Sequence, residues 1–162
     1  MTTTATRGAL EDRRMPVQAR LGAAWASFMF LYIYVDYYHL YKPGTVDRIL
    51  DGRVFEFAVS PGLLTGFLAL IAVPSLMVVL SLTLRAGANR ITQLAVASLY
   101  IPVTVFNAVG EAWEWTPFYA LSIGLELLLL AVILRAAATW PRTPASVTAD
   151  AHGHREAASP RG

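Results

Sequence analysis

Glu126 stands alone in an apolar stretch: Thr116 to Leu134 contains no other charged residue. It precedes Arg135 by nine residues, which in a helix places it roughly 13–14 Å from the charged end of the stretch. If the stretch crosses a bilayer, that depth is near the middle of a hydrocarbon core about 30 Å thick. A carboxylate there costs about 2.5–3.5 kcal/mol on insertion scales, so Glu126 must face other helices and be paired, hydrogen-bonded or protonated. Two roles suit it. One is a proton relay or the polar anchor of a ligand; the other is a neutral acid that hydrogen-bonds across helices and holds a bundle together.

A second group of side chains lies at the far end of the first apolar stretch, where residues 34–41 read YVDYYHLY. Tyr32, Asp36 and His39 share a helical face at i, i+4 and i+7. An aspartate beside an imidazole fixes its tautomer and raises its basicity, which suits acid–base work or metal binding. Asn107 and Glu111 come to the same side from a later stretch, and Glu114 follows. Asp36, His39, Glu111 and Glu114 have ligand chemistry for a divalent cation, but their spacing matches no strong metal signature. The alternative is that these acids pair with Lys42, Arg48 or Arg53 as a structural lid. The candidate ligand-binding set is therefore Glu126, Asp36, His39, Tyr32, Asn107 and Glu111, with no metal or cofactor expected.

Pro74 and Pro102 lie eleven and twelve residues from Arg85 and Arg90, so both sit roughly 16–18 Å from the same edge. Each removes a helical hydrogen bond and frees a carbonyl four residues back, at Leu70 and Ser98. Two kinks and one acid at similar depth can line a polar pocket, as broken helices do in transporters. Proline also bends membrane helices with no functional consequence.

The elements that must position these groups are four apolar segments, residues 21–41, 62–84, 91–110 and 116–134. Each is close to the about 20 residues that span a bilayer. Hydrophobic residues make up 56% of the chain and charged residues 15%, against about 25% charged in soluble domains, so little polar face is left to meet water. The first segment is too long for a signal-peptide core and no small-residue cleavage site follows, so it reads as an anchor. Arginines before the first segment (Arg7, Arg13, Arg14, Arg20), between the second and third (Arg85, Arg90) and after the fourth (Arg135, Arg142, Arg155, Arg161) total ten. The opposite side has three basic residues, Lys42, Arg48 and Arg53. The positive-inside rule then puts both termini in the cytoplasm.

Aromatic residues fit that frame. Tyr37, Tyr38, Tyr41, Trp113, Trp115 and Tyr119 mark an outer interface, and Trp25 and Trp140 an inner one. In the first loop, Thr45 is expected to cap a short helix through Leu50 that Gly52 ends, with Val46, Ile49 and Leu50 forming an apolar face on the membrane surface. Ser60 and Pro61 read as the N-cap and first residue of the second long helix. Residues 1–20 and 136–162 are expected to be cytoplasmic tails, mostly disordered from their Ala-, Pro-, Thr- and Ser-rich composition.

Several function classes are excluded or unsupported. Cysteine is absent, which removes disulfides, thiol catalysis and thiolate metal sites. No Gly-rich phosphate loop, HExxH, GxSxG or kinase set occurs, so no catalytic residue is assigned and a membrane enzyme ranks last among the function classes left open. No basic helix or aromatic platform argues for nucleic acid. His152 and His154 form a small histidine pair in the C-terminal tail, too little for a metal site.

Three stretches resemble a family of small bacterial membrane proteins, mainly actinobacterial, known only as a domain of unknown function. They are Trp25 to Tyr41 (WASFMFLYIYVDYYHLY), Ile71 to Met77 (IAVPSLM) and Tyr100 to Trp113 (YIPVTVFNAVGEAW). The resemblance spans about residues 15–142 and implies a four-helix membrane architecture, with no activity to carry over. A looser similarity, in helix number and size only, links the chain to DoxX-like membrane proteins, some of them quinone-linked.

The expectation is thus an all-α, four-helix transmembrane bundle with a short extracytoplasmic cap over residues 42–60. It would lie in the bilayer as a multi-pass protein and bind or transport a small or lipid-like ligand, or protons, through a polar pocket between the helices. The alternative is a structural or accessory subunit, associating with another membrane protein or with itself; Gly62 and Gly66 present a small-residue face of the kind that brings helices together.

Overall fold

Long apolar runs with few breakers form helices, and here they do so past the limits of their apolar segments. The computed structural model describes residues 15–107, 109 and 112–141, which are mostly helical. Five helices form, four of them long: α1 (Val17–His39), the short α2 (Thr45–Leu50), α3 (Pro61–Thr83), α4 (Ala86–Phe106) and α5 (Thr116–Ala138). α1 starts earlier than expected and stops two residues short of Tyr41. α4 spans 86–106 where 91–110 was expected, because only Leu84 and Arg85 separate it from α3 and its first turns carry polar residues that turn inward. α5 continues to Ala138. The remaining parts of the two expected tails lie outside the described residues.

The helices alternate in direction. At one end, Gln18 Nε2 reaches Leu84 O at 3.4 Å and Arg90 Nε donates to Ala137 O at 3.1 Å. These contacts bring the start of α1, the α3–α4 turn and the end of α5 together. At the opposite end, His39 meets Tyr119 across α1 and α5. α1 packs along both α3 and α5, and α4 packs along α5 and more lightly against α3. The core is an aromatic layer shared by α1 and α4. Trp25, Phe28 and Tyr100 are buried and meet edge to face at 5.7–6.2 Å, a geometry worth about 0.5–1.5 kcal/mol per pair. Trp25, expected at an interface, is thus a core residue, because its indole N–H finds an acceptor inside.

α3, and the run Trp113–Ala138 that contains α5, are long and apolar enough to cross a membrane. α1 and α4 do not meet that measure by composition. Gln18, Arg20, Asp36 and His39 interrupt α1, and Asn89, Arg90 and Gln93 interrupt α4.

The loop after α1 is more structured than expected. The N-cap of α2 is Gly44 (φ +76°), and no side chain caps the helix. Thr45 does not cap; it is buried, and its Oγ1 has no hydrogen-bond partner. Gly52 (φ +73°) turns the chain out of α2. A two-stranded antiparallel hairpin follows, β1 (Arg53–Val54) against β2 (Phe57–Ala58), and Phe55 packs its ring 5.4 Å from His39. Val46, Ile49 and Leu50 are exposed together on α2. Ser60 caps α3 as expected, with Oγ accepting from Leu63 N at 3.2 Å and Pro61 in the first turn.

Candidate functional site

Two buried polar layers cross the helices, and they differ in how well they are satisfied. The layer nearer the start of α1 is complete. Trp25 Nε1 donates to Gln93 Oε1 at 2.5 Å. Gln93 Nε2 donates to Ser81 Oγ at 2.7 Å and to Asn89 Oδ1 at 2.9 Å. Asn89 Nδ2 donates to Ser81 O at 2.7 Å, and Ser81 Oγ donates to Met77 O at 2.5 Å. All four side chains are fully buried. The network joins α1, α3 and α4 and leaves no polar atom over, which makes it a structural tie. Its sequence signal was Asn89 and Gln93 at i, i+4 on an otherwise apolar face.

Pro74 is buried, and the carbonyl it frees at Leu70 accepts a hydrogen bond from the Tyr100 hydroxyl on α4. Pro102, by contrast, is exposed. One kink is tied into the core and the other faces outward.

The second layer lies further toward the end where His39 meets Tyr119. α1 contributes Tyr32 and Asp36, α4 Thr104 and Asn107, and α5 Glu126. Asn107 Nδ2 donates to Tyr32 Oη at 3.4 Å. Asp36 is close enough to act electrostatically on both Tyr32 and Glu126, and Thr104 stands beside the Glu126 carboxyl. Neither Thr104 Oγ1 nor Glu126 Oε2 makes a well-formed hydrogen bond to a described group, and the group placed to serve the carboxyl is the Thr104 hydroxyl itself. Burial deepens along the layer: Asp36 is exposed and Asn107 half-buried, Tyr32 is 9% exposed, Glu126 2% and Thr104 0%. The arrangement is a polar layer between α1, α4 and α5 whose two acids differ in depth, Asp36 exposed and Glu126 buried. An unpaired buried polar atom costs about 1–3 kcal/mol, so this layer is less well satisfied than the first.

Of the expected site residues, the structure gathers Glu126, Tyr32, Asp36 and Asn107. Glu111 lies outside the described residues. His39 is drawn off the Tyr32–Asp36 line: its Nδ1 hydrogen-bonds with Tyr119 Oη at 2.7 Å. Lys42 Nζ donates to the same hydroxyl at 3.3 Å and lies 5.3 Å and 5.1 Å from the ring centroids of Trp115 and Tyr119. These residues and the hairpin cover that end of the helices. A cavity of about 220 Å³ opens there between Tyr38, Lys42, Trp115 and Phe118. Among the described residues, no group of three or more His, Asp or Glu side chains gathers to hold a metal. Thr104 was missed, since a threonine among apolar residues has no signal of its own. Only its position one turn before Asn107 links the two.

The chain matches a family described as a family of unknown function (DUF6326) over residues 11–146 and belongs to it, as the resemblance carried by the three stretches implied. No curated protein and no solved structure matches it.

Proposed function

We propose that this DUF6326 protein is a four-helix integral membrane protein that binds a small ligand at the incompletely satisfied polar layer around Glu126. In this reading α1, α3, α4 and α5 all cross the bilayer. α1 and α4 tolerate their polar residues because those side chains turn toward other helices or lie near the ends. The ten basic residues on the side of both termini, against three in the outer loop, orient the termini to the cytoplasm. The cap of α2 and the hairpin then lies outside, at the end of the helices nearer to Asp36.

The observation that carries the proposal is the contrast between the layers. The Trp25–Gln93–Ser81–Asn89 layer satisfies every side-chain partner, whereas the layer around Glu126 holds a buried carboxyl oxygen and a buried hydroxyl with none. A purely structural acid would be paired as the first layer is.

The test is native mass spectrometry of the protein released from lipid nanodiscs, wild type against Glu126→Gln. A discrete added mass in the wild type, lost in the variant at unchanged oligomeric state, supports a ligand held by Glu126. No adduct in either, together with a changed oligomer or lost membrane partner in the variant, replaces the proposal with a structural or accessory subunit.

A further inference from the structure

The cavity at the end of the bundle where His39 meets Tyr119 is separate from the layer around Glu126. It is bordered by Tyr38 near the end of α1, Lys42 just beyond it, and Trp115 and Phe118 at the start of α5, and measures about 220 Å³. About 150 Å³ is enough to hold a benzene ring, so it has room for a ring-sized group or a short run of methylenes. Its lining is apolar, three aromatic rings and the stem of a lysine, whose charged head reaches outward.

Two opposite charges meet at this cavity on a single indole. Lys42 Nζ lies 5.3 Å from the centre of the Trp115 ring and donates to Tyr119 Oη at 3.3 Å. Glu114 Oε1 accepts from Trp115 Nε1 at 2.9 Å. An ammonium and a carboxylate held on one indole complement a headgroup that itself carries a phosphate and an ammonium.

Depth points to the same class of molecule. α5 has 23 residues, roughly 34 Å of helix, against a hydrocarbon core about 30 Å thick. In the bilayer placement proposed above, its first turn emerges among the headgroups, and the cavity emerges with it. From there the two walls run on toward the hydrocarbon. On α1, Tyr34 stands one turn deeper than Tyr38, with the ring centroids 6.3 Å apart. On α5, Leu121 and Leu125 follow Phe118 at i+3 and i+7, on the same helical face. All three are exposed, and α1 and α5 pack side by side.

We infer that this cavity binds one zwitterionic phospholipid from the leaflet on the side of α2 and the hairpin. Lys42 takes the phosphate and Glu114 the headgroup ammonium. The glycerol and upper acyl chain lie against Tyr38, Trp115 and Phe118. The inference rests on the bilayer placement proposed above and adds a second site to it. An anionic phospholipid meets Lys42 but leaves the Glu114 carboxylate without a countercharge. A diacylglycerol meets neither charge. A soluble phosphate compound leaves the apolar walls uncovered.

The experiment titrates the full-length protein in a non-ionic detergent with phosphatidylethanolamine, phosphatidylglycerol and diacylglycerol of identical acyl chains. Native mass spectrometry counts the lipids bound at each concentration. The first phosphatidylethanolamine is expected to bind about threefold more tightly than the first phosphatidylglycerol, the scale of one half-exposed ion pair, with diacylglycerol weakest. Lys42→Gln weakens both phospholipids. Glu114→Gln removes the preference between them. Phe118→Trp fills the cavity, keeps both charges and weakens both phospholipids. Glu126→Gln changes none of this, so the two sites fail separately. Phosphatidylglycerol binding as tightly as phosphatidylethanolamine, or more tightly, overturns the inference. So does a preference that survives both Glu114→Gln and Phe118→Trp in protein with the wild-type unfolding midpoint. Absence of any lipid preference in a chain that needs detergent to stay in solution removes this site alone. A chain that stays monodisperse without detergent removes the bilayer placement, and the site with it.

Discussion

The hydroxyl of Tyr100 on α4 donates to the carbonyl oxygen of Leu70 on α3, the acceptor that Pro74 leaves without its helical donor. The carbonyl that proline frees in one helix is thereby satisfied by a side chain of another.

Tyr100→Phe keeps the ring in the aromatic layer and removes only that donor. The expected cost is about 1–3 kcal/mol, the penalty of an unpaired buried carbonyl. In a Pro74→Ala background the α3 backbone supplies its own N–H to Leu70, so the same change costs less. A double-mutant cycle read by denaturant unfolding in detergent micelles measures the coupling; equal costs in both backgrounds would show that the hydrogen bond contributes nothing.

Gln93→Leu breaks the complete inner layer and strands Trp25 Nε1 and the Asn89 and Ser81 partners at once. A loss of about 1–3 kcal/mol is expected, large for a membrane hydrogen bond because several groups lose partners together. Ligand adducts at Glu126 persist in any folded fraction, which native mass spectrometry checks.

Glu126→Leu has the opposite balance. It removes a buried carboxyl whose Oε2 is unpaired, and replacing a buried polar group by a well-packed apolar one is often neutral or stabilising. The variant is expected to unfold at the wild-type midpoint or above it, by about 1 kcal/mol, while losing any adduct. A marked loss of stability would instead identify Glu126 as a structural acid.

Two hydroxyls in the outer loop separate cap from passenger. Ser60→Ala removes the Oγ that accepts from Leu63 N and is expected to cost about 1 kcal/mol. Thr45→Val removes a buried hydroxyl that has no partner and is expected to be neutral or stabilising. Thermal unfolding of the two variants side by side distinguishes them.

The orientation is tested by reporter fusions. A cytoplasm-active reporter at the C-terminus is expected to be active, and one inserted at Gly52 inactive. Moving the balance with Arg85→Ala and Arg90→Ala weakens the bias without inverting it, since most of the arginines lie in the tails.

What the chain dictates locally was legible in advance: four long helices, the start of α3 at Ser60 and Pro61, the short helix of the outer loop, the carbonyl freed at Leu70 and the choice of Glu126 as the buried acid. These follow from runs of apolar residues, from proline's missing donor and from the price of a charge in hydrocarbon, all properties of neighbouring residues. Three-dimensional packing decided the rest. It set Trp25 in the core, because its acceptor Gln93 lies 68 residues away. It buried Pro74 and left Pro102 exposed, a matter of which face of each helix meets a neighbour. It drew His39 to Tyr119 and away from acid–base partnership with Asp36. It placed the Thr104 hydroxyl beside the Glu126 carboxyl. Each of these outcomes depends on the rotation and register of one helix against another, which side-chain packing between distant segments determines and spacing along a single segment does not.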